Sequence, residues 1–308
     1  MPGPVHLMTG ATSGMGLAVV RYLLADPGVR LIVGARRPEA ATQVASLANP
    51  ERVRILPLDL ASLGSVRRFA DSVGAELGGA KLASLACNAG VQLVGARRMT
   101  SDGFEETFQA NWLGHAMLID RLLPQLAPNA PVVMTASGTH DPANRTARLF
   151  GFRGGLFPNI DAVAIGDLDP KASVKQLGLD RYATSKLVMI LHVYALARDR
   201  TPGGPRYVAF DPGLMPGTGL ARDRSAFERW GWSTLLPRLA PLLSGASTSE
   251  ASAHSLARLL AASAHPSGNG VHIDHALAIT RSSRDSQRTD WQDHVSAFAR
   301  RMARSAMT

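Results

Sequence analysis

In the stretch RYATSKLVMILHVYALARDR, residues 181–200, Tyr182 and Lys186 stand four positions apart. The chain has 29 arginines and only 4 lysines, so a lysine at that spacing asks for a reason. The stretch reads as a helix, where side chains at i and i+4 leave one face and address the same small volume. A free phenol ionises near pH 10, about three units too high for efficient proton exchange at neutral pH. An ammonium beside it stabilises the phenolate and lowers that value, and the same ammonium can donate to ribose hydroxyls. The pair therefore suits acid–base work on a carbonyl or alcohol oxygen. Standing alone it would read better as an amphipathic helix with a tyrosine and a solvated lysine, so its meaning depends on what the rest of the chain brings to it.

A nucleotide site is the first such contribution. TGATSGMGLAVVRYLLA, residues 9–25, sets Gly10, Gly14 and Gly16, with Thr12, Ser13 and Met15, between an apolar run and an amphipathic helix. The glycines let the backbone turn tightly and approach a pyrophosphate, whose charge then faces the helix N-terminus. A glycine triplet by itself is a weak signal; directly after the first strand and opening a helix, it reads as a dinucleotide site. After the next apolar run, VGARRPE puts Ala35 and Arg36 where a ribose-binding carboxylate would select NAD. A 2'-phosphate meets no repulsion there, and Arg36 or Arg37 can pair with it in bidentate fashion, so NADP(H) is the expected cofactor. The competing reading is that both arginines solvate a loop.

These residues need a scaffold to hold them. Apolar runs at 4–10, 29–35, 53–58, 81–90, 130–137 and 206–213 alternate with segments of helical length and period. Such alternation predicts an α/β fold, a Rossmann-type doubly wound parallel sheet with helices on both faces. A last strand near 268–274 and a terminal helix over 286–304 would close it. With no repeat or linker visible, residues 1–308 read as a single domain carrying a substrate-loop insertion at about 138–181 and a substrate lid at about 214–245.

Composition narrows the classes further. At 308 residues, 45% apolar and 19% charged, the chain can bury a substantial core. Its one cysteine, Cys87, excludes an intrachain disulfide and suits a reducing compartment. The N-terminal MPGPVHLMTG lacks the regions of a signal peptide, and no run reaches the roughly 18 apolar residues of a membrane span, so a cytoplasmic protein is expected. The net charge of +9 comes from scattered arginines without a helix-turn-helix, zinc-finger or aromatic RNA-binding pattern. Nucleic acid is therefore not an expected partner; the charge favours anionic ligands generally.

Taken together the motifs resemble the short-chain dehydrogenase/reductase family. The resemblance rests on the glycine motif Thr9–Gly16, LDLASL with Asp59, CNAG at 87–90, NWLGH at 111–115, Ser137, YATSK at 182–186 and DPGLMPGT at 211–218, in the family's order over about 210 residues. The stretch between Ser137 and Tyr182, the SKLVMILHVYAL helix and PGLMPGTGLAR look most like the retinol-dehydrogenase and protochlorophyllide-reductase branch. The resemblance implies Tyr182 as general acid of a carbonyl reduction, Lys186 as its cationic partner, Ser137 as a donor to the carbonyl oxygen and Asn111 as support for a water in the proton path. It also implies cofactor contacts from Asn88, Ala89 and Gly90, from Asp59 and Leu60 near the adenine, and from Pro212, Gly213 and Thr218. Asp59 reads almost as well as a helix cap. Thr218 stands one position beyond the family's usual threonine, where this chain has Gly217. Where protochlorophyllide reductases carry a functional cysteine after the Pro-Gly turn, this chain has Leu214, so light-driven pigment reduction is not expected.

The substrate side is specified least. The insertion and the lid hold Phe150, Phe152, Phe157, Phe227, Trp230 and Trp232, which suit either a bulky hydrophobic or aromatic carbonyl compound or the anchoring of loops to the core. His140 reads as a loop residue rather than a catalytic one, His115 as a structural core histidine, and Arg97 and Arg98 as a solvated loop. In HIDH, strand alternation would turn His275 away from His272 and Asp274, so no metal site is expected. Two function classes remain: an NADPH-dependent reductase of a ketone or aldehyde, with the same site able to run as an alcohol dehydrogenase, and a noncatalytic NADP-binding sensor or partner protein. Ser137, Tyr182, Lys186 and Asn111 together favour the enzyme, because a sensor has no chemical need for a tuned phenol. By resemblance, association would use long helices near 102–127 and 180–200. An insertion covering the second favours a monomer over a homo-oligomer.

Overall fold

The computed structural model describes residues 3–215, 245–262 and 268–305. The apolar runs form β1 (Val5–Thr9), β2 (Arg30–Ala35), β3 (Val53–Pro57), β4 (Leu82–Cys87), β5 (Pro131–Thr135), β6 (Arg206–Asp211) and β7 (Val271–Asp274). An unanticipated strand, β8 (Ile279–Thr280), turns back on β7 in antiparallel fashion. At two residues it is too short to leave a periodic signal in the sequence. The sheet order is β3-β2-β1-β4-β5-β6-β7-β8, parallel from β3 to β7. Strand order reverses between β1 and β4, and that switch point is where open α/β sheets form ligand crevices.

The connecting helices are α1 (Gly14–Leu24), α2 (Thr42–Ala45), α3 (Leu63–Leu77), α4 (Glu106–Phe108), α5 (Gly114–Leu122), α6 (Arg145–Leu149), α7 (Ile160–Ile165), α8 (Val174–Arg198), α9 (Ser249–Leu260) and α10 (Thr289–Ser305). Alternation along each strand divides the core. Met8, Val33, Ala86, Val133 and Phe210 meet the residues of α1 and α9, while Leu7, Ile32, Leu85, Val132 and Ala209 meet those of α3, α5, α8 and α10. Helices thus cover both faces, as the continuous apolar runs require.

Three boundaries differ from expectation. The helix expected near 102–127 is interrupted: between α4 and α5 the chain makes a π-helical turn, Gln109–Leu113, and Pro124 then ends the segment in a 3-10 turn. The helix expected near 180–200 starts earlier, because Ser173 caps it by accepting from the Gln176 N–H at 3.2 Å. The terminal helix starts at Thr289, since Ser286 belongs to a 3-10 turn, Asp285–Gln287. Among the described residues no helix is long and apolar enough to cross a membrane.

Candidate active site

β1 leads into α1 through a turn in which Gly10 and Gly14 have φ of +66° and +54°. A Cβ on Gly10 would lie 2.6 Å from the Ala89 Cα, and one on Gly16 would lie 2.0 Å from the Gly10 carbonyl oxygen, so neither position takes a side chain. Gly14 faces open space. Ser13 precedes α1 without making a side-chain cap, which leaves the first-turn N–H groups to an anion. Thr9 fixes the opposite wall: its Oγ1 accepts the N–H groups of Asn88 and Ala89, both at 3.0 Å. The Asn88 amide donates to the carbonyls of Thr9 and Gly10 at 3.3 and 3.0 Å and accepts from the Thr135 hydroxyl at 3.2 Å. The ends of β1, β4 and β5 are thereby tied together around the switch point.

His115 closes this network from behind. Its Nδ1 lies 2.8 Å from the Asn111 carbonyl, which can only accept, so Nδ1 carries the proton and Nε2 accepts from the Thr9 hydroxyl at 2.9 Å. Burial holds the ring neutral, lowering it to about 4. The Asn111 side chain pairs with the main chain of Val91, accepting at 2.7 Å and donating at 3.0 Å, and donates to the Ser185 hydroxyl at 2.9 Å.

α8 carries Tyr182 and Lys186, both buried, and Phe152 packs on the Tyr182 ring at 6.0 Å. Lys186 Nζ lies 5.7 Å from the centroid of that ring and donates to the Thr135 carbonyl at 2.7 Å. Ser137 follows β5, and its hydroxyl oxygen accepts from the Thr139 N–H and hydroxyl at 3.3 and 3.1 Å. Burial pushes the Tyr182 phenol up to about 12, against a hydrogen bond with Ser137 that works the other way. It also lowers Lys186 to about 8, opposed by the carboxylate of Asp211. The sequence pointed to a phenol lowered by its lysine; in the folded chain the cost of burying a phenolate, with the Asp211 carboxylate adding to it, raises the phenol instead.

These groups share one cavity of about 800 Å³. Gly10, Thr12, Ser13, Gly14, Met15, Gly16, Arg36, Asp59, Leu60, Asn88, Ala89, Gly90, Ser137, Tyr182, Lys186, Pro212 and Gly213 all line it. Asn111 stands behind its wall, and Thr218 lies outside the described residues, as do Phe227, Trp230 and Trp232. Asp59 accepts from the Ala61 N–H at 3.0 Å, whereas the cap of α3 is Ser62, which settles the capping alternative against Asp59. Phe150 and Phe152 line the cavity, while Phe157 stacks on Trp291 at 4.7 Å, so the described aromatics divide between the two expected roles. Arg98 is the exposed loop residue expected, its side chain 56% exposed, and it also borders the cavity and pairs with Glu106 at 2.9 Å. Alternation stops where β7 ends at Asp274, so Asp274 and His275 both line the cavity. His272 instead turns inward, to the Thr280 hydroxyl at 2.8 Å. Sequence reasoning gave no role to Thr9, Thr135 or Asp211. Asp211 had a readable signal, a carboxylate closing an otherwise apolar run; the two threonines act through geometry that spacing does not reveal.

A profile of the short chain dehydrogenase family matches residues 4–146. The WW domain-containing oxidoreductase of Danio rerio is 36% identical over 242 residues, covering 77% of this chain and 53% of that protein. The chloroplastic protochlorophyllide reductase of Chlamydomonas reinhardtii is 31% identical over 244 residues, covering 70% of this chain and 57% of the relative. The chain thus spans little more than half the length of these relatives. The NADPH-bound carbonyl reductase from chicken fatty liver superposes with a TM-score of 0.61, covering 91% of this chain and 94% of that one at 19% identity, a likeness of fold.

Proposed function

The chain belongs to the short-chain dehydrogenase family, on the side of it that resembles protochlorophyllide reductases, and from that premise we propose that it is an NADP(H)-dependent oxidoreductase that reduces a ketone or aldehyde to the alcohol. The observation that carries this reading is the convergence of Ser137, Tyr182 and Lys186 on the cavity that also holds the glycine turn between β1 and α1. That turn fits a dinucleotide: side chains at Gly10 and Gly16 are sterically barred, and Gly14 opens onto the cavity.

Tyr182, raised to about 12, is protonated at neutral pH and gives its proton to the carbonyl oxygen as an alkoxide develops there. Ser137 donates from its hydroxyl to the same oxygen and stabilises the growing charge. Lys186, at about 8, is a cation at pH 7 and stabilises the phenolate that Tyr182 leaves. The cofactor, when bound, supplies the hydride. Arg36, just past β2 with no carboxylate at the strand end, would pair with a 2'-phosphate, while Asp59 and Leu60 would border the adenine. Leu93, Ala147, Phe150, Phe152 and Met215 line the remaining cavity and support a bulky hydrophobic or aromatic substrate. We place the reaction in the cytoplasm on the strength of the single thiol, which sits buried at the end of β4.

The test is NADPH oxidation, followed at the nicotinamide absorbance, against aromatic ketones, polycyclic quinones, retinal-like aldehydes and steroids, with NADH in parallel and Tyr182→Phe as control. Turnover with NADPH that the variant loses supports the reading. Tight NADPH binding with no turnover on the whole panel favours a noncatalytic binding protein, and failure to bind NADPH overturns the cofactor assignment.

A further inference from the structure

Behind Ser137 lies a buried polar cluster that the proposed chemistry leaves unused. His140, buried and not part of the cavity wall, points its Nδ1 at the Ser137 carbonyl, 2.6 Å away, while its Nε2 lies 3.1 Å from the Ser283 N–H. A carbonyl only accepts and a main-chain N–H only donates, so the two bonds admit one ring state: neutral, protonated on Nδ1. The His140 carbonyl accepts from the Gly155 N–H at 3.1 Å, which ties the same residue to the insertion.

Ser283 belongs to a turn with its own bonds. The Ser286 hydroxyl donates to the Ser283 carbonyl at 2.7 Å, and the hydroxyls of Ser282 and Ser286 pair at 2.7 Å. Ser282 in turn pairs with the hydroxyl of Tyr194 at 2.6 Å. Tyr194 lies about three helical turns beyond Tyr182 on α8. One imidazole therefore links the backbone of Ser137 to a turn that is bonded to the helix of Tyr182. On the strand side the Ala136 N–H donates to the Phe210 carbonyl at 2.7 Å; beyond β5, where the ladder has ended, the Ser137 carbonyl accepts from the His140 main-chain N–H at 3.2 Å, which closes a 3-10 turn, and more closely from the His140 ring at 2.6 Å.

We propose that His140 is a positioning residue, anchoring the Ser137 carbonyl and so fixing the direction in which the serine hydroxyl enters the cavity. The proposal rests on the role given to Ser137 above. A displacement of about 1 Å in such a group costs on the order of 100-fold in rate. Protonation of Nε2 would remove the acceptor for Ser283. The groups facing the ring are Asp141 beside it, Asp211 of β6, and His272 of β7, whose ring lies 5.5 Å away.

Two variants and one spectrum test it. His140→Phe keeps a ring and removes both bonds; His140→Asn keeps an amide N–H for the Ser137 carbonyl. With 9,10-phenanthrenequinone and NADPH, kcat should fall about 10- to 100-fold in His140→Phe with KM for NADPH little changed, and His140→Asn should recover most of the loss. Equal loss of kcat and NADPH affinity, or no recovery by His140→Asn, overturns the proposal. Ring-nitrogen NMR of the cofactor-free wild type decides it without turnover. The resonance missing from His140→Asn should be a neutral ring protonated on Nδ1 that stays so through pH 6. A ring protonated on Nε2, or one titrating at the ordinary value, overturns the anchor even where the quinone is reduced. A wild type that reduces no carbonyl counts against the proposed function, and the ring's state then supports or overturns the anchor by itself.

Discussion

The Lys186 ammonium donates to the carbonyl of Thr135, 2.7 Å away, and stands 5.7 Å from the centroid of the Tyr182 ring, so strand β5 positions both the cation and, two residues on, Ser137. The Lys186 and Tyr182 side chains are both buried at the wall of the cavity, where salt screens an ion less than at the open surface. Burial keeps Tyr182 protonated and brings Lys186 to about 8. At neutral pH the resting pair is thus an acid beside a cation, the state that reduction needs and oxidation does not.

A pH profile follows from that pair. Lys186 loses its charge as pH rises through about 8, while Tyr182 keeps its proton until about 12. Reductase kcat should therefore decline above pH 8 through loss of the cation, not of the acid. Lys186→Arg, which stays charged, should carry the surviving activity to higher pH. Initial rates of NADPH oxidation between pH 6 and 10 measure this, and an identical alkaline limb in wild type and Lys186→Arg counts against it.

In the proposed reaction Ser137 and Tyr182 address one oxygen, so their losses should not add. Tyr182→Phe is expected to lower kcat by about 10²- to 10⁴-fold and Ser137→Ala by about 10²- to 10³-fold. The double variant should fall no further than the worse single. NADPH affinity, read by fluorescence titration, should stay within a few-fold in all three. Multiplicative losses would mean that the two groups act at different places.

Acid should unfold the protein well above pH 4. Burial lowers His6, His115, His192 and His272 to about 4, and His140 is lowered by the same cause. Below pH 6.5 the unfolded chain binds protons that the folded chain refuses, so stability falls as pH drops from about 6.5 towards 4. Each of the four groups lowered to about 4 costs about 1.4 kcal/mol per pH unit in that window, and the four together rival a typical total of about 5–15 kcal/mol. His192 gives the control. Its Nδ1 is buried without a partner and its ring packs on Trp112 at 5.6 Å, so His192→Leu removes a proton site without breaking a hydrogen bond. Urea denaturation should show this variant losing less stability than wild type between pH 7 and 5.

The sheet and most of the cavity wall were legible because their signals are local. Alternating apolar runs place β1 to β7, and Gly10, Gly16, Asn88 and Tyr182 lie at strand ends or on a helix face, where that alternation and the motifs around them mark them. The hidden part depends on distant segments meeting. His115 joins Thr9 across 106 residues, and His140 reaches Ser283 across 143. Neither separation carries a period, and a buried histidine looks the same in sequence whether it packs or positions. Alternation also misled at His275, because it holds only while the strand lasts, and β7 ends one residue earlier.

The last two glycines of the turn make separable predictions. At Gly16 a Cβ would fall 2.0 Å from a main-chain oxygen, which has no room to yield, so Gly16→Ala should push α1 from β1 and abolish NADPH binding. At Gly14 a Cβ meets nothing within 4 Å, and only the φ of +54° opposes it, at about 1–2 kcal/mol. Gly14→Ala should stay folded by circular dichroism, with a modestly lowered Tm. Equal damage from both substitutions would mean that the turn is not built around the close approach at Gly16.

Arg181, the residue before Tyr182, is buried against Glu105 at 3.5 Å, with side chains 3% and 1% exposed. Burial raises the Glu105 carboxyl and lowers the Arg181 guanidinium, each against the pull of its partner. Both have further anchors: Glu105 accepts from the Phe108 N–H at 2.8 Å and the Thr107 hydroxyl at 2.9 Å, and Arg181 donates to the Gly95 carbonyl at 2.8 Å. Removing one charge leaves the other buried and unpaired, a loss of about 3–5 kcal/mol, whereas replacing both by apolar groups removes both desolvation costs. Arg181→Met and Glu105→Leu should each lower stability by roughly that amount, with Glu105→Leu also losing the cap of α4, worth about 1 kcal/mol. The double variant should be more stable than either single in urea denaturation, because only the singles strand a charge. Additive losses would show that the two charges are solvated independently and that the pair does not clamp α4 to the helix carrying Tyr182.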